Sequence, residues 1–322
     1  MSAELPEVHG RCEPAFESLR RALAEIMETG AEVGAALAVH VGKQPVVDLW
    51  AGHTDSARTR PWGEHTIVNL YSVGKAVTAV CALRLVERGA LDLDAPVSSY
   101  WPEFAQAGKK NLPVRYLLTH QAALPAVFRP LPPGAVLQWE VMVDALAVQE
   151  PWWEPGAGHG YHVNTYGFLI GEVVRRITGK SLGAYLRDEI AGPAGIDFFI
   201  GFGPELDARC ADVIPLRPGP DGERGNVLLD GDLATLTGLQ RMRLGAYRNP
   251  PDLSGQGIIN SREWRAAEVP STNGHGNARA VARLYAALAG DGKLDGVHIL
   301  SPATVEMAIA EQVYGEDQVL QR

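Results

Sequence analysis

Only one stretch of this chain alternates the way paired strands do. Leu37, Val39 and Val41 interleave with Ala36, Ala38 and His40, Gly42-Lys43-Gln44-Pro45 turns the chain, and Val46, Val47, Leu49 and Trp50 follow. Two strands are therefore predicted, over residues 34–41 and 46–50. A lone hairpin is marginal in water, so the rest of the chain must cover it, and the rest reads as helix. Phe16, Leu19, Leu23, Ile26 and Met27 recur at helical spacing between Pro14 and Gly30. From Ile67 onward helices alternate with Pro- and Gly-rich loops: one over 72–88 stopped by Gly89, and one over 164–178 carrying Leu169, Ile170, Val173, Val174 and Ile177 and stopped by Gly179. Another starts near Asn277 with Val281, Leu284, Tyr285 and Leu288 on one face, and a last one follows Ser301-Pro302, an N-cap and first-turn pair. Residues 217–225 read as loop. The fold class is α/β (α+β), an antiparallel sheet flanked by helices plus a mostly helical region.

Of the 322 residues, 46% are hydrophobic and 21% charged, enough for one large domain or two interleaved ones. A net charge of −9 and a pI near 5.5, with no basic run, argue against a nucleic-acid partner. Residues 1–6 show neither a positive nor an apolar leader segment, and no apolar run is long enough to span a bilayer, so a cytoplasmic location without membrane contact is expected. Cys12, Cys81 and Cys210 are odd in number and widely spaced, which suggests reduced thiols with packing roles rather than a disulfide framework or a zinc site. His120, His159, His162 and His275 have no metal-ligand spacing, and no cofactor motif is present.

The chemistry concentrates in Ser72-Val73-Gly74-Lys75. Three residues apart on a helix, the serine and lysine share a face with Cβ atoms roughly 5–6 Å apart. The helix continues as Ala76-Val77-Thr78-Ala79-Val80-Cys81-Ala82-Leu83, apolar nearly all round. It should be buried, and burial lowers a lysine's pKa toward the range where it accepts a proton. The same spacing also fits a plain helix N-cap followed by an incidental lysine. A second element tips the balance: Trp153-Glu154-Pro155-Gly156, then Gly160-Tyr161-His162-Val163-Asn164 at the start of another helix. A tyrosine at such a junction can reach a shared cleft. If Lys75 and Tyr161 meet at Ser72, the ammonium favours the phenolate, lowers a pKa ordinarily near 10, and makes Tyr161 a proton relay.

Two other matches are set aside. Gly179-Lys180-Ser181-Leu182-Gly183 fits the G-x-S-x-G nucleophile elbow, but that elbow needs a strand before it, and here a helix precedes it. Gly179 reads as a C-cap and Ser181 as the N-cap of a helix over 182–190. A phosphate-binding loop is excluded because Val174 stands where its first glycine belongs.

Tyr71-Ser72-Val73-Gly74-Lys75, Val114-Arg115-Tyr116-Leu117-Leu118-Thr119-His120, the loop from Pro155-Gly156 to Tyr161, and Gly171-Glu172-Val173-Val174-Arg175-Arg176 together resemble class C β-lactamases and their esterase relatives, the family VIII carboxylesterases, within the serine β-lactamase and penicillin-binding-protein superfamily. The resemblance covers nearly the whole chain. It implies Ser72 as nucleophile, Lys75 as its partner and Tyr161 as the motif tyrosine, working through an acyl-enzyme with no cofactor. Trp153, His162 and Asn164, around that tyrosine, are the candidate substrate-binding residues, although Asn164 stands one position beyond the asparagine of the family's Y-x-N pattern. The implied architecture is two-part: residues 1–66 with 270–322 form the α/β part, residues 67–269 the helical part carrying Ser72, Lys75 and Tyr161, and the cleft lies between them.

Relatives carry a third motif on a late strand, K-T-G or an esterase variant, that supplies half of the oxyanion hole. Gly274-His275-Gly276-Asn277 is its only faint counterpart here, and it suits a helix start better than a strand. The resemblance implies further sheet strands beyond Arg322. Without them the sheet should show an open edge, expose Leu37, Val39 and Trp50, favour aggregation or self-association, and leave the enzyme weakly active or inactive. The leading expectation is a hydrolase of small carboxylic esters. The alternatives are a β-lactamase or D-amino-acid peptidase or transacylase acting on an amide, disfavoured by the missing K-T-G, and a catalytically silent binding protein.

Overall fold

The computed structural model describes residues 6–215 and 231–322, so the predicted loop over 217–225 lies outside the described residues. The chain enters through strand β1 (Val8–Cys12) and helix α1 (Glu17–Glu28), then forms the hairpin β2 (Gly34–Val41) and β3 (Gln44–Gly52). Strand β1 pairs antiparallel with β3 on the side away from β2, giving the order β1-β3-β2. The hairpin is therefore not alone. Sequence reading missed β1 because its five residues, three of them exposed, include Gly10 at φ 101° and no run of apolar alternation. Leu23, Met27, Val46, Val47, Leu49 and Ala51 form the core between α1 and this sheet.

The expected exposure of Leu37, Val39 and Trp50 is corrected. Leu37 and Val39 pack against the α1 core, while Trp50 stacks on the His9 ring and lies beside the Arg279 guanidinium. Strand β2 still has β3 as its only partner strand among the described residues. Within α1, Ile26 is 48% exposed, so the buried face is Leu23, Ala24 and Met27.

Strand β4 (Val68–Asn69) leads into α2 (Val73–Glu87), which is followed by α3 (Val114–Leu118), α4 (Trp139–Val148), α5 (Thr165–Thr178) and α6 (Leu182–Leu186). Helix α5 ends at Gly179 in a left-handed conformation, and Ser181 caps α6 by accepting from the Ala184 N–H, as the sequence indicates. Helix α6 stops at Leu186, short of the predicted 190, and a wider π-helical turn carries on from Arg187 to Ala191. Strand β5 (Phe198–Phe199), helices α7 (Gly238–Arg248) and α8 (Arg262–Ala266), strand β6 (His275–Gly276), helix α9 (Ala278–Ala289), strands β7 (Lys293–Leu294) and β8 (Val297–His298) and helix α10 (Pro302–Ile309) complete the order. Short strands β4, β6 and β5 pair in that order.

Two sequence expectations change here. His275-Gly276 is a strand between β4 and β5, and Asn277 caps α9 by accepting from the Ala280 N–H, so the segment is both strand end and helix start. In α9 the buried residues are Ala280, Leu284 and Ala287, and Tyr285 is turned outward at 47% exposure. Helix α9 packs across β2, with Arg279 paired to Asp48. One continuous apolar core joins α2, α4 and α5 to Trp101, Phe104 and Trp264, and extends to Leu284 and Leu300. No helix among the described residues is long and apolar enough to cross a membrane.

Candidate active site

Ser72 stands at the N-terminus of α2 and is exposed, while Lys75, one turn on, is 7% exposed. Ser72 does not cap the helix through its side chain. Its Oγ lies 3.1 Å from Lys75 Nζ and 2.7 Å from the Tyr161 hydroxyl. The lysine Nζ also donates to the Ser271 carbonyl at 3.1 Å and sits 4.7 Å from the centre of the Tyr161 ring. The structure thus brings Ser72, Lys75 and Tyr161 together.

Close approach of backbones makes this possible. A Cβ on Gly74 would come 2.2 Å from the Pro270 carbonyl, and one on Gly167 would come 2.5 Å from the Ser271 nitrogen. The two glycines let the 270–271 segment wedge between α2 and α5, which delivers the Ser271 carbonyl to Lys75. The Ser271 hydroxyl accepts from the Gly167 N–H at 2.7 Å and locks the wedge. Ser271, unlike Lys75, has no sequence signal; glycines in the two motif-bearing helices are the nearest hint.

Burial sets the protonation states. Desolvation pushes Lys75 down to about 7. Tyr161 departs from the phenolate expected from sequence: burial raises its pKa, outweighing the hydrogen bond to Ser72. The low-dielectric site penalises ammonium and phenolate alike, so above about pH 7 a neutral amine faces a neutral phenol. Tyr71, just before Ser72, has φ 46°, a left-handed conformation that costs a non-glycine residue roughly 1–2 kcal/mol. The backbone N–H of Ser72 has no acceptor among the described residues.

The other candidates lie around the tyrosine. His162 is fully buried: its Nε2 accepts from the Leu124 N–H at 3.0 Å and its Nδ1 donates to the Gly160 carbonyl at 2.7 Å. Burial lowers its pKa to about 4, so the ring stays neutral in this single tautomer. Asn164 is also fully buried, donating to the Ala246 carbonyl and Ser254 Oγ and accepting from Thr272. Both side chains sit beneath the tyrosine loop. Trp153 is half-buried and lines a cleft of about 610 Å³ with Tyr116, Glu150 and Glu154. His120, at φ 62°, accepts the Gly160 N–H on its carbonyl and the His162 N–H on its Nδ1. His275 is occupied by the Asn273 carbonyl and the Phe202 ring.

A serine hydroxyl held between a lysine amine and a phenol, at the start of a helix backed by a second helix and a small sheet, is the arrangement a nucleophile would need. The chain belongs to the Beta-lactamase family, whose sequence profile matches residues 19–322. It is 34% identical over 300 residues to the esterase/beta-lactamase LipL of Mycobacterium tuberculosis, covering 91% of this chain and 67% of LipL. A solved family VIII carboxylesterase superposes with a TM-score of 0.86 at 37% identity, over 98% of this chain and 80% of that one. A penicillin-binding-protein homologue from Caulobacter crescentus gives 0.86 at 35% identity with the same coverage. The chain is a serine hydrolase of the β-lactamase-like fold.

Proposed function

We propose that Ser72 is the acylated nucleophile, Lys75 its general base and Tyr161 the proton donor to the leaving group, in the hydrolysis of small carboxylic esters. The observation that carries this reading is Ser72 Oγ within hydrogen-bond reach of both Lys75 Nζ and the Tyr161 hydroxyl while capping nothing. Neutral Lys75 takes the Ser72 proton as Oγ attacks the ester carbonyl carbon. Negative charge gathers on the carbonyl oxygen, and the free Ser72 N–H offers it one donor. Collapse of the intermediate breaks the bond to the alkoxide, which takes the Tyr161 proton, and Lys75 returns its proton to the phenol. Water then attacks the acyl-enzyme with the same groups in reverse, releasing the acid and restoring Ser72. In this reading Trp153, whose cleft is not lined by Ser72, Lys75 or Tyr161, packs on Gly160, and with His162 and Asn164 it holds the tyrosine loop.

Ser72→Ala should reduce ester turnover to background with the thermal midpoint little changed. A fluorophosphonate should label the peptide containing Ser72; an adduct on Ser181, or parent-rate turnover by the alanine variant, would sink the assignment. The name of LipL includes lactamase activity, so amide substrates form the second reading. A panel of short-chain aryl esters against a chromogenic cephalosporin separates the two, and inertness toward both would favour a binding protein. We further propose cytoplasmic location, tested by cell fractionation, and self-association through the edge of β2 that no strand pairs among the described residues. Size-exclusion chromatography with light scattering should show mass rising with concentration; a constant monomer mass would remove the association.

A further inference from the structure

The three successive N–H groups around the proposed catalytic tyrosine are held by two separate residues. Those of Gly160 and His162 go to His120, to its carbonyl at 3.1 Å and its Nδ1 at 3.1 Å. That of Tyr161 itself goes to the Asp317 carboxylate, at 3.0 Å to Oδ2 and 3.2 Å to Oδ1, across 156 residues of chain.

Asp317 is built to hold that N–H. It is only 9% exposed. Its Oδ1 also accepts the N–H groups of Val319 and Leu320, each at 2.8 Å, which fixes the carboxylate in its own turn. The next residue, Gln318, donates its N–H to the His159 carbonyl at 3.0 Å, so the segment runs alongside the tyrosine loop for two consecutive contacts. Val319, 5% exposed, then fills the apolar space beneath the loop with Val163, Met242 and Ala246, against Trp153 and Tyr161. The negative charge also favours the protonated phenol.

We infer that Asp317 is a positioning residue of the active site: it anchors the backbone of Tyr161 so that the phenol stays at Ser72 Oγ, and with Val319 it makes residues 317–320 a strap across the catalytic loop. This inference rests on the reading of Tyr161 as proton donor. A phenol 2.7 Å from Oγ transfers a proton efficiently only while it is held there, and misplacement by about 1 Å costs a hydrolase on the order of 10²-fold in rate.

The test uses the full chain and an activated aryl ester. Asp317→Ala should lower kcat about 10²-fold with KM little changed. Asp317→Asn keeps Oδ1 as an acceptor for the Tyr161 N–H but sets an amide NH2 in place of the other oxygen, and should recover only part of that loss. In a Tyr161→Phe background Asp317→Ala should cause no further loss, because the residue acts through the hydroxyl already removed. If Asp317→Ala does not fold, Val319→Ala takes its place, with the same drop in kcat and the same silence behind Tyr161→Phe. Parent kcat in the folded Asp317 variant, or an additive loss in the double variant, overturns the inference. Parent kcat in Tyr161→Phe alone overturns the reading of Tyr161 instead, so the two failures are told apart.

Discussion

A lysine whose ammonium is disfavoured by burial answers to pH in two ways. Lys75 sits at about 7, below its ordinary 10.5, and the base role proposed for it needs the neutral amine. Ester kcat/KM should therefore rise as pH increases through about 7 and then level off, and Lys75→Arg, whose guanidinium stays charged, should abolish turnover without such a rise. For stability the sign is the same. Between about 7 and 10.5 the unfolded chain binds this proton and the folded chain does not. The group's contribution therefore improves with rising pH across that window, and its burial weighs in full below it. Lys75→Met should raise the thermal midpoint more at pH 6 than at pH 10; an equal shift would mean that Lys75 is not desolvated. Ser72 and Lys75 were legible from their spacing because one helical turn brings them together. The protonation state of Tyr161 was not, because it depends on burial by residues distant in sequence.

Helix α5 carries a charged group where an apolar one would be ordinary. The Glu172 side chain is fully buried and is met by Arg175 at 2.7 Å, Arg176 at 2.7 Å and the Trp139 indole N–H at 2.8 Å. These bonds hold its carboxyl below the usual range although burial opposes them. Glu172→Ala would leave the Trp139 indole without its acceptor and Arg175 and Arg176, each about a third exposed, with only Glu140 and Glu103, and should cost about 1–3 kcal/mol, read as a lowered midpoint in urea or heat. Because the folded carboxyl has the depressed pKa, its contribution is fully present above the ordinary carboxylate range and is lost as pH falls below that range through the lowered folded value. A loss below about 1 kcal/mol would mean that the network is no better than a surface pair. At this scale the sequence shows the helices with their caps, because stop signals such as Gly179 and Ser181 act within one turn. It hides β1, two-residue strands such as β6, and the exact buried face of α9, because those follow from which neighbour arrives.

For the whole molecule we propose the two-part division of residues 1–66 with 270–322 from residues 67–269. The core that includes α2, α4 and α5 also takes in Leu284 and Leu300, so the parts share buried side chains and should unfold in one calorimetric transition; two resolved transitions would show them to be independent. Fold class, the helix carrying Ser72 and Lys75, and the family were determined by the sequence itself, because periodicity, capping and motif spacing are encoded within a few residues of one another. Which carbonyl meets Lys75, 196 residues away, and which carboxylate holds Tyr161, 156 residues away, were decided only by tertiary structure. Contacts between distant segments arise from packing two surfaces, and such packing leaves no local period in the chain.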